Sequence, residues 1–184
     1  MKIIGICGEP GTGKTTLMRE VMDSLGGHFW SEERLGTLDY LRHANYTVFG
    51  KYEGEYFDGT DRLSMAVIND AEAFLKVFES TNSYVNNIVL FEGDRLFCLR
   101  FLGSCLKATR QCRFIQLSFD DATCRERRAE REAQGIIQPL SFVRSRRTKY
   151  RNLRNQFPLI ELFMNRNETE KNDIVTSIID WIKK

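Results

Sequence analysis

Histidine is scarce in this chain of 184 residues, and cysteine forms no metal-binding pattern. The two histidines are His28 and His43, so a histidine-based catalytic triad is not expected and a carboxylate is the natural general base. The five cysteines are odd in number and include no C-x-x-C pair. They predict reduced thiols in an intracellular protein, not a disulfide framework or a zinc site.

Long apolar runs, internal repeats and Pro- or Ser-rich linkers are also missing. No apolar run approaches the length of a membrane span, so no membrane partner is expected. The first residues read as an apolar strand followed at once by a glycine-rich loop, which argues against a cleaved signal peptide and predicts a cytoplasmic protein. The length and the lack of linkers predict a single domain over residues 1–184.

Acidic residues are few between residues 100 and 160, where 14 Lys and Arg stand against 5 Asp and Glu. This segment has a net charge of +9, and the rest of the chain has −7. A basic segment predicts an anionic ligand, either a polyphosphate or a nucleic acid. A solvated helical face rich in arginine is the alternative.

The sequence does contain one complete motif, G-x-x-x-x-G-K-T at residues 8–15. It follows the apolar run at residues 3–7 and precedes a helical pattern, which is the context that a P-loop requires. Its glycines and the helix N-terminus bind phosphate oxygens, Lys14 reaches the β- and γ-phosphates, and the Thr15 hydroxyl can ligate Mg²⁺. The sequence therefore predicts ATP and Mg²⁺ as cofactors. The predicted nucleotide contacts here are Gly8, Glu9, Pro10, Gly11, Thr12, Gly13, Lys14, Thr15 and Thr16.

Alternating strand and helix patterns predict an α/β fold. Apolar runs predict strands at 2–7, 46–49, 87–92, 113–119 and 159–164. Helical spacing predicts helices at 14–25, 62–80, 95–108, 121–134, 140–156 and 170–183. Residues 35–51 are ambiguous apart from the strand at 46–49. Five strands separated by helices indicate a parallel sheet covered on both faces, with ligands at the carboxyl ends of its strands.

Two carboxylates and a guanidinium follow the apolar strand that ends at Glu92. Glu92 and Asp94 are candidate ligands for Mg²⁺, and Arg95 can clamp a phosphate or pair with an acid. The alternative is an ordinary strand-end turn with a local salt bridge.

The segment 59–64 offers a candidate general base. Asp61 can accept the proton of an attacking hydroxyl, with Arg62 beside it on the acceptor; capping of the following helix is an equal alternative. Upstream acids compete for the role of base: Asp39, Glu53, Glu55 and Asp58. Tyr56 and its aromatic neighbours could stack on a base of the acceptor, or they could equally pack the loop against the protein.

Arginines on two charged helices complete the candidate site. Arg127 and Arg131 are four residues apart, so they share one helix face and suit a lid over the transferring phosphoryl group. Residues 144–154 carry six further cations, including Arg144 and Arg147. These form either a solvated face or a track for a phosphate backbone.

A polar loop, residues 165–169, follows the last predicted strand. Asn165 and Arg166 could contact the adenine there, although a turn that caps the final helix explains the same residues.

In this order the motifs resemble the P-loop nucleoside and nucleotide kinases, which include thymidylate kinase and the deoxynucleoside kinases. The resemblance rests on residues 8–15, on the turn 92–95, on the lid-like segment 123–131 and on the segment 135–140. It implies a three-layer sandwich around a five-stranded parallel sheet, with ATP·Mg²⁺ as donor. It also implies an arginine-rich helical lid at about residues 121–138.

The turn at Glu92-Gly93-Asp94-Arg95 differs from the Glu-Arg-Ser of deoxynucleoside kinases and the Asp-Arg-Tyr of thymidylate kinases. The phrases at residues 59–66 and 90–97 look most like phage-encoded kinases that act on DNA. Those kinases phosphorylate the hydroxymethyl group of 5-hydroxymethyluracil in DNA during thymidine hypermodification. The resemblance implies this acceptor, with DNA along the basic segment and a location in the host cytoplasm.

Two alternatives stay open. The acceptor could be a free deoxynucleoside or deoxynucleotide. In a different class, the protein could be a nucleotide-hydrolysing switch or motor; the short chain, the lid arginines and the acidic loop favour a kinase. The oligomeric state is open, with a homodimer as one option.

Overall fold

The computed structural model describes residues 1–27, 30–52, 58–80, 88–135 and 139–184, without the side chains of residues 79 and 80. Its strands are β1 Lys2–Gly8, β2 Trp30–Leu35, β3 Leu38–His43, β4 Thr47–Phe49, β5 Ile88–Glu92, β6 Cys112–Ser118 and β7 Ile160–Met164. Its helices are α1 Lys14–Ser24, α2 Val67–Ser80, α3 Leu99–Ala108, α4 Asp121–Ala133, α5 Leu140–Gln156 and α6 Glu168–Lys183. A short 3-10 turn spans Thr60–Arg62.

One mixed sheet organises the molecule, with the strand order β2-β3-β4-β5-β1-β6-β7. From β4 to β7 all neighbours pair in parallel, which confirms the predicted five-stranded parallel sheet. β1 and β5 lie at its centre, and their apolar runs are buried on both faces, as central parallel strands require. The carboxyl ends of these strands meet at one edge of the sheet.

Helices cover both faces and form the outer layers of a three-layer sandwich. On one face Phe74 of α2, Phe101 of α3 and Tyr150 of α5 pack against the sheet. On the other face, Leu17 of α1 and Ile178 of α6 do so. Within the described ranges, no helix is long and apolar enough to cross a membrane.

Two antiparallel strands extend the sheet beyond the five predicted ones: β3 lies in the ambiguous segment 35–51, and β2 lies just before it, where no element was predicted. β2 pairs with β3, and β3 pairs with β4. β2 is mostly exposed and lacks the apolar alternation that predicts a strand. Its strand conformation comes from pairing with β3. At the hairpin tip, Asp70 of α2 accepts hydrogen bonds from the backbone N–H and the hydroxyl of Thr37, at 2.7 and 2.6 Å.

Two predicted helices begin later than their apolar spacing indicates. α2 begins at Val67 instead of residue 62, because the 3-10 turn is followed by extended backbone at Leu63. α3 begins at Leu99 instead of residue 95, after extended backbone at Cys98. Asp61 therefore does not cap α2, and the turns that carry Asp61 and Arg95 are free to face the end of β1.

Candidate active site

The phosphate loop, residues 8–15, joins the end of β1 to the start of α1. The Lys14 amine donates to the backbone oxygens of Gly8 and Glu9, at 3.1 and 3.3 Å. The Thr12 hydroxyl donates to the same Glu9 oxygen at 2.8 Å. The residues of the predicted motif thus form one compact loop at a helix N-terminus, the arrangement that binds phosphate.

Glu92 lies opposite this loop, at the end of β5. The Thr15 hydroxyl donates to Oε1 of Glu92 at 2.8 Å. The side chain is buried, and Oε2 finds no hydrogen-bond partner among the residues that the structure describes. Burial raises the pKa of Glu92 to about 7; Lys14 and the Thr15 hydrogen bond oppose the shift, while Asp61 and Asp58 add to it.

This pair of oxygen ligands fits Mg²⁺. A hydroxyl and a carboxylate oxygen are hard ligands of the kind that Mg²⁺ prefers, and the ion usually takes its other ligands from phosphates and water. The buried, unpaired Oε2 is the atom that a cation would satisfy. In the described part of the chain, no group of three or more His, Cys, Asp and Glu forms a site made of protein ligands alone.

Asp94, the other predicted metal ligand, lies under α5. Its Oδ1 accepts hydrogen bonds from Lys149 at 2.6 Å and from Tyr150 at 2.7 Å, and its Oδ2 lies 2.7 Å from Arg146. Burial would raise the pKa of Asp94, but Lys149, Tyr150 and Arg146 together hold it below its ordinary value. Both oxygens are engaged, so the geometry favours an anchor for α5 over a metal ligand.

The turn that carries Asp61 contacts the end of β5. Oδ1 of Asp61 accepts the backbone N–H of Asp94 at 2.6 Å. Thr60 donates its hydroxyl to the Glu92 carbonyl at 2.6 Å. Gly59 is required here, since its φ is +84° and an added Cβ would lie 2.3 Å from Oε1 of Glu92.

The competing acids occupy different places. Asp58 is buried and pairs with Arg19 and, at 3.6 Å, with Arg62, so the predicted acceptor contact Arg62 lies against an acid. Asp39 lies on β3 and pairs with Arg34 and Lys51. Glu53, Glu55 and Tyr56 lie outside the described residues.

The predicted lid arginines both face the phosphate loop from α4, here called the lid helix. Nη1 of Arg127 donates to the Gly11 carbonyl at 3.0 Å, and its guanidinium lies 5.8 Å from the centre of the Phe119 ring. Arg131 has no acidic partner among the described residues, and burial lowers its pKa, with the charge of Arg127 adding to the shift. Arg128 points away and pairs with Glu132 at 3.1 Å, as their spacing predicts.

Arg147 is partly exposed, but its guanidinium is paired with two acids of the protein. Its Nε is 3.0 Å from both carboxylate oxygens of Glu9, and its Nη1 is 3.0 Å from Oδ1 of Asp121. With Arg146 and Lys149 on Asp94, three cations of the basic helix are paired with acids of the protein itself. Arg144 and Arg151 are exposed, with no acidic partner in the described part of the chain.

The predicted adenine contacts are engaged by the protein. Nδ2 of Asn165 donates to the Thr12 carbonyl at 2.6 Å, and Nε of Arg166 donates to Glu170 at 2.9 Å. Asn167 caps α6 by accepting the N–H of Glu170 at 2.9 Å, which matches the capping alternative. The structure thus places Asn165 against the loop as a brace.

Two cavities flank the phosphate loop. The loop cavity, about 280 Å³, is lined by Gly8, Pro10, Gly11, Lys14, Thr15, Asp58, Asp61, Asp94, Arg95, Arg131, Phe142, Arg146 and Tyr150. The lid-side cavity, about 340 Å³, is lined by Gly11, Gly13, Thr16, Arg127, Glu130, Arg131, Gln134, Asn165, Asn167, Glu168 and Lys171. A larger cavity of about 430 Å³ lies along the β2–β3 hairpin, but no phosphate-loop residue lines it.

Sequence reasoning missed three residues of the loop cavity as site residues: Phe142, Arg146 and Tyr150. The guanidinium of Arg146 lies 4.7 Å from the centre of the Phe142 ring. The Nε atoms of Arg146 and Arg95 are buried and have no hydrogen-bond acceptor among the described residues. Phe142 and Arg146 are four residues apart on α5. This spacing was the available sequence signal, because residues four apart share a helix face.

A P-loop before a helix, a parallel sheet and a helix carrying inward arginines define a phosphoryl-transfer enzyme of the P-loop class. The model of the family described as P-loop Nucleotide Kinase3 matches residues 1–172, and the chain belongs to this family. It is therefore a nucleotide-binding kinase, as its motifs predict.

Comparison with solved structures gives the same fold. The unliganded crystal structure of a sugar kinase from Janibacter sp. HTCC2649 matches with a TM-score of 0.55 and 16% sequence identity. The match covers 100% of this chain and 95% of that one, and at this identity it shows the fold alone. No curated protein matches the chain.

Proposed function

We propose that this protein transfers the γ-phosphoryl group of ATP to a hydroxyl group of an acceptor that itself carries a phosphate, first of all a nucleotide. One observation carries the proposal: Lys14, Asp61, Arg95 and Arg146 all line the loop cavity. Donor-side and acceptor-side groups thus open into one space, as direct transfer between two bound substrates requires.

On the donor side, the backbone N–H groups of the phosphate loop and the N-terminus of α1 hold the β- and γ-phosphates. From its position across the loop, Lys14 can turn to those phosphates. Arg131, which has no acidic partner in the described part of the chain, brings a cation to the same cavity, where it offsets the charge of the transferring group. The adenine occupies the lid-side cavity, next to Thr16 and Arg127.

Thr15 and Glu92 would hold Mg²⁺. When bound, this ion neutralises charge on the phosphates and orients them. Glu92 fits the role because its buried Oε2 lacks a partner among the described residues. Asp94 is left out of the metal site because Lys149, Tyr150 and Arg146 take both of its oxygens.

Asp61 is the proposed general base. The acceptor oxygen forms a bond to the γ-phosphorus, its proton passes to Asp61, and the bond from that phosphorus to the bridging oxygen of ADP breaks. One carboxylate oxygen is fixed by the N–H of Asp94, which orients the side chain at the cavity wall. Asp58 is the weaker candidate, since it is buried and paired with Arg19.

The acceptor phosphate is inferred from Arg95 and Arg146. A buried guanidinium N–H without an acceptor is costly, and an anion in the cavity would satisfy both groups. The Phe142 ring beside Arg146 offers a flat apolar surface to a base. A neutral sugar or a free nucleoside would bring no anion to the buried Nε–H groups of Arg95 and Arg146, although Arg146 keeps its ion pair with Asp94.

A second candidate acceptor is the 5-hydroxymethyl group of 5-hydroxymethyldeoxyuridine within DNA, in keeping with the resemblance to phage-encoded kinases. The observation that favours it is the exposure of Arg144 and Arg151 on α5, outside the loop cavity. Two outward cations could follow the phosphate backbone of a strand whose modified base enters the cavity.

Labelling with γ-labelled ATP tests both candidates. The acceptors offered are deoxynucleoside monophosphates, the matching nucleosides, ordinary DNA and 5-hydroxymethyluracil DNA. Label in a monophosphate supports the first candidate, and label in the modified DNA alone supports the second. Label in the nucleosides alone, or hydrolysis as fast without an acceptor as with one, contradicts the proposal.

Salt dependence separates the DNA candidate further. If Arg144 and Arg151 contact DNA phosphates, replacing both with Gln should flatten the plot of log affinity against log salt by roughly one to two units. The matched control is the double variant Arg110→Gln and Arg125→Gln, which removes the same charge elsewhere. An equal effect of the two double variants contradicts the DNA contact.

A further inference from the structure

Arg147 connects two parts of the site that are far apart in the chain. It contacts Glu9 of the phosphate loop through Nε and Asp121, the first residue of the lid helix, through Nη1, all at 3.0 Å. The Glu9 side chain is only 4% exposed, whereas that of Asp121 is 76% exposed. The bridge therefore has a buried half at the loop and a solvated half at the lid.

The buried half fixes the shape of the phosphate loop. A buried carboxylate requires a charged or hydrogen-bonding partner, and Arg147 is the cation that Glu9 has. The backbone oxygen of Glu9 accepts hydrogen bonds from Thr12 and Lys14. Holding the Glu9 side chain therefore holds the carbonyl that organises two of the groups around the phosphates.

The solvated half aligns the lid helix with that loop. Asp121 starts the helix that carries Arg127, and Arg127 donates to the Gly11 carbonyl. The lid helix thus reaches the loop directly through Arg127 and indirectly through Asp121 and Arg147.

We propose that Arg147 is a positioning residue for the donor nucleotide, which couples the lid helix to the phosphate loop and does not contact the acceptor. This role replaces the substrate contact predicted from the arginine cluster. It follows that ATP affinity depends on a side chain of α5 that lies behind the loop.

ATP·Mg²⁺ affinity, measured by calorimetric titration without any acceptor, tests this role. Arg147→Gln should weaken binding roughly 10- to 100-fold, the range found when a side chain that orients the ligands of a metal site is removed. The control Arg125→Gln removes the same charge from an exposed position of the lid helix and should stay within about twofold. Because no acceptor is present, failure of the acceptor assignment leaves this test intact.

A double-variant cycle distinguishes positioning from general damage. Arg147→Gln alone leaves the Glu9 carboxylate buried and unpaired, so adding Glu9→Gln should recover part of the lost affinity. If the losses of ATP affinity in Arg147→Gln and Glu9→Gln simply add in the double variant, the proposal is overturned. It is also overturned if Arg147→Gln binds ATP as tightly as Arg125→Gln. If Arg147→Gln does not fold, the variant Asp121→Asn tests the coupling, because it removes only the exposed contact of Arg147. Asp121→Asn should weaken ATP binding severalfold without changing the melting temperature. Unchanged ATP binding by Asp121→Asn overturns the coupling.

Discussion

The charge of Glu92 makes the stability of the protein fall as pH rises, and Glu92→Gln should abolish that fall. Burial raises the pKa of Glu92 in the folded protein to about 7, from an ordinary value of 4.5. Between these values the folded protein binds more protons than the unfolded chain, so the free energy of unfolding decreases with pH. The contribution is fully present below pH 4.5 and is lost as pH rises through 7.

The size of the effect follows from the shift in pKa. A difference of about 2.5 pKa units corresponds to roughly 3 kcal/mol, and Glu92 is 1% exposed, so solvent screening is slight. Gln at this position can still accept the Thr15 hydrogen bond through its carbonyl oxygen. Its amide leaves unsatisfied N–H groups at the place of Oε2, at a cost of about 1–3 kcal/mol that is the same at every pH.

Urea unfolding at pH 5 and pH 8, with EDTA to remove Mg²⁺, measures this difference. The free energy of unfolding of Glu92→Gln minus that of wild type should be larger at pH 8 than at pH 5, by roughly 2.5 kcal/mol, because only wild type loses stability over this range. The control Asp70→Asn should show no such change, because the pKa of Asp70 is lowered by Thr37 and its ionisation is complete at both pH values. If wild type and Glu92→Gln differ in free energy of unfolding by the same amount at both pH values, Glu92 does not carry a buried, unpaired charge and the reasoning is wrong.

Three further outcomes are expected at the site. Lys14→Ala should abolish phosphoryl transfer while circular dichroism shows an unchanged fold, since the amine contacts only loop carbonyls in the described structure; unchanged turnover would contradict the kinase mechanism. Asp61→Asn should lower kcat roughly 10²- to 10⁴-fold with little change in ATP affinity, because Asn can still accept the Asp94 N–H; near-normal kcat with an inactive Asp58→Asn moves the base to Asp58. Gly59→Ala should destabilise the fold by roughly 1–3 kcal/mol and raise the Mg²⁺ concentration needed for activity, since its Cβ meets Glu92; Gly103→Ala, where an added Cβ meets nothing within 4 Å, is the control and should be neutral or stabilising.

Contiguous patterns predicted the fold well. The strand, loop and helix around residues 8–15 are neighbours in the chain, so their residue types suffice to identify a phosphate site. The central strands were equally readable, because a strand buried on both faces is a continuous apolar run. β2 was not readable: it is exposed and polar, and its one local signal is the two-residue turn Gly36-Thr37 before β3.

Long-range charge pairing is what residue types leave undetermined. A cluster of cations on α5 looks the same in sequence whether it faces solvent, DNA or the protein itself. The folded chain brings Glu9, Asp94 and Asp121 against that helix, and these acids take up Arg146, Arg147 and Lys149. Among the described residues, Arg144 and Arg151 remain exposed without an acidic partner, and Arg154 is partly buried.

Local chemistry along the chain decided that this protein binds a nucleotide and has a parallel α/β core, because both depend on residues close in sequence and on the burial of apolar runs. The tertiary structure decided the partners of the charged groups. Thr15 and Glu92 are 77 residues apart, and Glu9 and Arg147 are 138 apart, yet each pair is in hydrogen-bond contact. Such contacts depend on the order of strands in the sheet and on the place where each helix begins, and sequence spacing records neither.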